Sequence, residues 1–221
     1  MPPAVSRTLG HVREEAQRID GRLEGTLRIP DLPPTAIVVI AHPLPTQGGT
    51  MRNPFIAQIA RACAEHGWLA LRFNFRGTGE SAGEFTGGER ELEDVDAAVR
   101  HARARAPALP LGLVGYSFGA RMSAAWLERG GRADAVVLVA LPLRDPEQRP
   151  LPPPRVPAGT FVVAAEDDQF GKADELRAAL PDARLAVVPD AEHFFIGKRD
   201  EAVRLVCDEL ARAFAVPSHL P

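Results

Sequence analysis

The stretch Leu111-Gly112-Leu113-Val114-Gly115-Tyr116-Ser117-Phe118-Gly119-Ala120 decides how the rest of the chain is read. An apolar run of strand length ends in Gly-Tyr-Ser-Phe-Gly and passes without a linker into residues 118–129, which carry a helical pattern. A serine on so sharp a strand-to-helix turn needs small residues two positions before and after it, because strand and helix cross there at close range. Gly115 and Gly119 supply that space, and Ala120 keeps the next position small. The pattern predicts a nucleophile elbow, which lifts a hydroxyl out at the end of a sheet and beside a helix N-terminus.

On the N-terminal side, residues 110–116 are preceded by a helix over 88–105, acidic early and arginine-rich late, which suits a helix dipole. Before it lies a strand over 68–75, whose exit Arg76-Gly77-Thr78-Gly79-Glu80-Ser81-Ala82-Gly83 is loop chemistry throughout. Asn53-Pro54 starts a helix that stops at Gly67, with a side-chain cap followed by a residue that has no N–H to leave unsatisfied. His66, in its last turn, is expected to act as a C-terminal charge. Residues 35–41 are continuously apolar, as in a strand covered on both faces. Asp20-Gly21 separates two alternating segments, 13–19 and 22–29, and predicts an antiparallel hairpin.

On the C-terminal side come a helix over 118–129 ended by Gly130-Gly131, a strand over 135–141 and a segment over 143–158 with six prolines. Then follow a strand over 159–165, a helix over 171–180, a strand over 184–190 and a helix over 199–214. Strands alternating with helices call for a mostly parallel sheet of eight strands with helices on both faces. Function in such a sheet sits at the carboxyl ends of the strands. The 221 residues are read as one domain, 1–221.

Composition narrows the function class. The formal charge is −3 and no basic stripe is long enough to expect nucleic acid. No run is long enough to span a bilayer, and residues 1–10 lack a signal-peptide core. Cys63 and Cys207 both fall in helical patterns and read as buried thiols. The expectation is a cytoplasmic enzyme. The six histidines and two cysteines show no metal-ligand spacing, so no metal and no cofactor is expected.

A serine hydroxyl is a weak nucleophile and needs a base within hydrogen-bond reach, itself oriented by a carboxylate. His193, in Ala191-Glu192-His193-Phe194-Phe195 after the last strand, is the candidate base. Glu166-Asp167-Asp168 follows the strand before it, and supplies Asp168 as the preferred acid with Asp167 as the alternative. The oxyanion formed on attack needs two backbone N–H donors. Phe118, directly after the nucleophile, supplies one. In His42-Pro43-Leu44-Pro45 the prolines have no N–H, which leaves Leu44 for the other. His42 is expected to shape this loop, its ring reaching toward residues 76–79.

The chain resembles the α/β-hydrolase superfamily over nearly its whole length, and is most similar to small bacterial α/β hydrolases distantly related to the dienelactone-hydrolase-like proteins. The resemblance rests on His-Pro-Leu-Pro-Thr-Gln-Gly-Gly-Thr-Met-Arg-Asn (42–53), Arg-Phe-Asn-Phe-Arg-Gly-Thr-Gly-Glu-Ser (72–81), Gly-Tyr-Ser-Phe-Gly-Ala (115–120) and Glu-His-Phe-Phe (192–195). It implies that Ser117 is the nucleophile and His193 the base, in the chain order Ser, acid, His. The acid of that family usually lies three residues after a Gly; that position is Ala165 in this chain, which points to Asp168 and leaves Asp167 in play. It also places any cap domain in the segment that here is 143–158, too short and too rich in proline to form one. The function expected is a serine hydrolase of small esters acting through an acyl-enzyme. Thioester, amide or C–C hydrolysis, acyl transfer, and a binding protein of the same fold are the alternatives.

Overall fold

The computed structural model describes residues 13–215. Asp20 and Gly21 both take positive φ, 47° and 67°. That is the turn geometry whose twist matches a tight antiparallel hairpin. It joins β1 (Arg13–Ile19) to β2 (Leu23–Ile29). The remaining strands are β3 (Ala36–Ala41), β4 (Trp68–Phe73), β5 (Leu111–Tyr116), β6 (Ala135–Val139), β7 (Phe161–Ala165) and β8 (Arg184–Val188). They form one sheet in the order β1-β2-β4-β3-β5-β6-β7-β8. Both pairings of β2 are antiparallel, and every pairing from β4 to β8 is parallel. The eight-stranded, mostly parallel sheet is the one the sequence predicts.

Among the described residues five α-helices cover it: α1 (Pro54–Glu65), α2 (Glu91–Arg105), α3 (Phe118–Glu128), α4 (Ala173–Ala179) and α5 (Arg199–Phe214). Alternation along each buried strand sorts them onto two faces. Val38, Ile40, Val114, Val137 and Val163 meet α1 and α5, through Phe55, Ile59, Val206 and Leu210 among others. Ile37, Val39, Leu111, Leu113, Leu138 and Val162 face α2, α3 and α4. The two thiols, Cys63 on α1 and Cys207 on α5, are free and buried, in line with the sequence reading.

Several strands and helices are shorter than expected, and β4, β6 and β8 lose their carboxyl ends, on the side of the sheet that carries Ser117. β4 stops at Phe73: Asn74 N–H still donates across to Glu24 O of β2, but Glu24 N–H turns to Ser81 Oγ and Phe75 N–H to the His42 ring. β6 stops at Val139 because Ala140 turns to φ 46°. α2 starts at Glu91 rather than 88. Its first carboxylate reaches back to accept from Thr86 N–H, Thr86 Oγ1 and Gly88 N–H, holding that segment out of the helix. The proline-rich connection over 143–158 contains a small hairpin. Arg144 bridges Pro150, and Leu151 N–H donates to Leu143 O at 2.9 Å.

The crossing of β5 and α3 is the tightest point. A Cβ on Gly115 would lie 2.4 Å from Gly119 O, and one on Gly119 would lie 2.3 Å from Ala41 O. Neither backbone oxygen can swing aside as a side chain can. Gly115→Ala therefore has to push α3 off the sheet and is expected to cost about 2 kcal/mol or more. Urea unfolding of wild type and variant measures it; equal midpoints would show that the crossing has slack.

Candidate active site

Ser117 caps α3 at φ 55°, ψ −115°. For a residue with a Cβ this is strained backbone, maintained because the surrounding structure leaves no alternative. Its N–H donates to Val139 O on the neighbouring strand at 2.9 Å, and its carbonyl accepts the first helical hydrogen bond from Arg121. The hydroxyl is left pointing at the His193 ring. Ser117 Oγ and His193 Nε2 are 2.8 Å apart, and His193 Nδ1 and Asp168 Oδ2 are 2.7 Å apart. A carboxylate can only accept, so Nδ1 carries the proton and Nε2 accepts from the serine hydroxyl. Asp168 is fully buried, His193 is 3% exposed and Ser117 is 8% exposed. The serine is less open than the missing cap alone implies, because its neighbours crowd it.

Asp168 faces the imidazole. Asp167 is exposed, and its backbone N–H, donating to Ala191 O, ties the acid loop to the histidine loop. That histidine loop is itself wound around Glu192, whose carboxylate accepts from the N–H groups of Phe194 and Ile196.

Leu44 sits at the start of a short 3-10 turn (Pro45–Gln47), and its carbonyl accepts from Gln47 and Gly49. Its own N–H, like that of Phe118, has no acceptor among the described residues. Gly49 is required here, since a Cβ would lie 2.1 Å from Pro43 O. His42 is fully buried under this loop. Its Nδ1 donates to Pro43 O at 2.6 Å and its Nε2 accepts from Phe75 N–H at 3.1 Å. The ring therefore joins the loop after β3 to the backbone just before residues 76–79, one position short of the reach expected.

Aromatic rings surround the imidazole, and the sequence reading passed over them. The Tyr116 ring lies nearly parallel to it at 5.9 Å, and the Tyr116 hydroxyl donates to His193 O at 3.1 Å. Phe170 and Phe194 stand edge-on to it at 4.7 and 5.2 Å. Phe118 continues into an aromatic chain through Phe75 and Phe85 on the other side of the serine. The available signals were positional: Tyr116 directly precedes Ser117, Phe170 follows Asp168 by two, and Phe194 follows His193.

A doubly wound sheet with a strained serine at the end of its fifth strand, and with no domain inserted over it, is the fold of a lidless α/β hydrolase. The chain belongs to the alpha/beta hydrolase domain family, whose profile matches residues 34–215. Among solved structures it is similar to a Xanthomonas campestris protein described as an a/b serine hydrolase without lid. That match has 27% identity and a TM-score of 0.77, and covers 94% of this chain and 97% of the other. A Coxiella burnetii α/β serine hydrolase homologue aligns at 27% identity and a TM-score of 0.76, covering 90% and 97% of the two chains. An uncharacterized protein of Rickettsia prowazekii is 26% identical over 206 residues, covering 86% of this chain and 85% of its own length. The Pyrococcus furiosus esterase Pf2001, at 17% identity and a TM-score of 0.75, shares the fold. Among the described residues no helix is long and apolar enough to cross a membrane.

The buried His42 gives the site a pH limit. Burial pushes its pKa down to about 4, only partly offset by the hydrogen bond to Pro43 O. In the unfolded chain the same group titrates near ~6.5. Between these values the unfolded state binds the extra proton and the folded state does not, so stability falls as pH falls through that window and levels off below it. The full effect is about 3 kcal/mol. His42→Gln is expected to flatten this part of the stability–pH curve between pH ~6.5 and ~4, relative to wild type. Parallel curves would show that His42 does not remain neutral in the fold.

Proposed function

We propose that this protein is a serine hydrolase of small carboxylic esters. The observation that carries the reading is the unbroken hydrogen-bond chain from Ser117 Oγ through both ring nitrogens of His193 to Asp168. As Oγ attacks the ester carbonyl, its proton passes to Nε2, and the imidazolium that forms is held by the buried Asp168 carboxylate. The carbonyl oxygen gains charge and is met by the N–H groups of Phe118 and Leu44, which bind the oxyanion more strongly than the ground-state carbonyl. His193 then returns the proton to the departing alkoxide, leaving an acyl-enzyme and a free alcohol. Water, deprotonated by the same Nε2, attacks the acyl carbon and releases the acid and Ser117.

The reading is supported by the family's hydrolase fold and by the N–H groups of Phe118 and Leu44, neither of which has an acceptor among the described residues. Neither acid nor base need move to begin. With Ser117 in a crowded setting and no cap to enclose a long chain, the acyl group that fits is short. Preference for acyl chains of about C2 to C6 follows from the small apolar area available.

A fluorophosphonate probe is expected to label Ser117 and nothing else, and Ser117→Ala is expected to abolish both labelling and turnover of p-nitrophenyl acetate. Turnover by the alanine variant above about one per cent of wild type would put the nucleophile elsewhere. Asp168→Asn, which imposes the wrong imidazole tautomer, is expected to lower kcat by about 10⁴ while Asp167→Asn leaves it within twofold. The reverse result would move the acid to Asp167. On a series of p-nitrophenyl esters, kcat/KM is expected to fall beyond C6; a rise toward C12–C16 would reveal a binding site for long chains.

A further inference from the structure

Phe170 touches both partners of the Asp168–His193 pair. Its N–H donates to Asp168 Oδ1 at 2.8 Å, while the other carboxylate oxygen, Oδ2, accepts from the imidazole. Its half-buried ring stands edge-on to that imidazole, 4.7 Å between centroids and 78° between planes. The backbone contact fixes the plane of the carboxylate, and the ring blocks rotation of the imidazole about its Cβ–Cγ bond.

Phe170 is in turn held from outside the site. Its carbonyl accepts two hydrogen bonds from the proline-rich connection, from Leu143 N–H at 2.8 Å and Arg144 N–H at 3.0 Å. These are the residues at which the small hairpin begins. The hairpin is closed by Leu151 N–H to Leu143 O and by Asp145 N–H to Arg149 O. It is pinned at both ends by one side chain, Arg121 of α3, whose guanidinium donates to Pro142 O and Pro152 O at 3.1 Å each. Arg144 also pairs with Glu175, which accepts from Lys172 N–H at the start of α4. The hairpin thus links the helix that follows the nucleophile to the loop that carries the acid.

We propose that the hairpin of the 143–158 connection acts as a brace for the acid–base pair, and that Phe170 is the positioning residue through which it acts. In the place where a cap would be inserted, this chain has a strut that holds the acid and base of the site. The proposal rests on the serine-hydrolase reading for its catalytic consequence, but its geometric content stands apart from it. An imidazole free to rock loses alignment with Ser117 Oγ in the attacking geometry, which lowers kcat; a residue that only lined the substrate would change KM.

The test compares wild type with Phe170→Leu, Phe170→Tyr and Arg144→Gln. It follows kcat and KM for p-nitrophenyl acetate, the rate of fluorophosphonate labelling of Ser117, and the far-downfield proton resonance of His193 Nδ1–H. Phe170→Leu is expected to lower kcat and the labelling rate about tenfold with KM within twofold, and to broaden the Nδ1 proton by exchange with water. Phe170→Tyr, which keeps the ring, is expected to restore all three to within twofold. Arg144→Gln, which loosens the hairpin outside the site, is expected to change kcat in the same sense by about threefold, and carries the test if Phe170→Leu fails to fold. A raised KM with unchanged kcat would make Phe170 a substrate wall, and a failure of tyrosine to rescue would make its role one of general packing; either overturns the proposal. If wild type is not labelled at Ser117 yet Phe170→Leu still loses the Nδ1 proton, the brace stands and the esterase reading falls.

Discussion

The close crossing of β5 and α3 is the constraint on which the rest of this structure depends. Gly115 and Gly119 let two backbones approach to a distance that no Cβ permits, and the turn between them forces Ser117 to positive φ. The strain is local, but it is sustained by the whole sheet. Ser117 N–H is anchored on β6, Gly119 lies against the end of β3, and α3 packs over both. The site is therefore a product of the central strands, and its remaining members are delivered by loops that leave those strands on the same side.

Those loops are held together by polar contacts that a sequence does not display. His42 ties the loop after β3 to the loop after β4, Asp167 ties the acid loop to the histidine loop through its backbone, and Arg121 ties the nucleophile helix to the proline-rich hairpin. Each bond joins segments far apart in the chain, with one partner usually a backbone group.

The elements with strong periodicity were legible. Asp20-Gly21 marked its turn, Asn53-Pro54 marked the start of α1, and the apolar runs marked β3 and β5 because both faces are buried. That Ser117, Asp168 and His193 come together was legible from strand ends, since a doubly wound sheet has few places where three loops converge. What was not legible lies where the chain leaves a regular element under side-chain control. Glu91 delays α2 by reaching back to Thr86 and Gly88, and Ala140 ends β6 in a conformation alanine rarely takes. The aromatic ring on Asp168's own loop was passed over because its significance depends on where His193 arrives from, and that is a tertiary fact. The hairpin in the 143–158 connection escaped notice because prolines argue against helix and strand but not against a two-residue bridge.

The position of β8 has a consequence for how such a protein fails. Ser117 follows a central strand, whereas His193 follows the edge strand, which is paired on one side only. Edge strands open with less free energy than central ones. On the proposed reading the nucleophile and its base therefore belong to regions of unequal local stability, and the base is drawn from the weaker. Heating is then expected to release the imidazole before the core melts, leaving the sheet intact and the proposed chemistry idle.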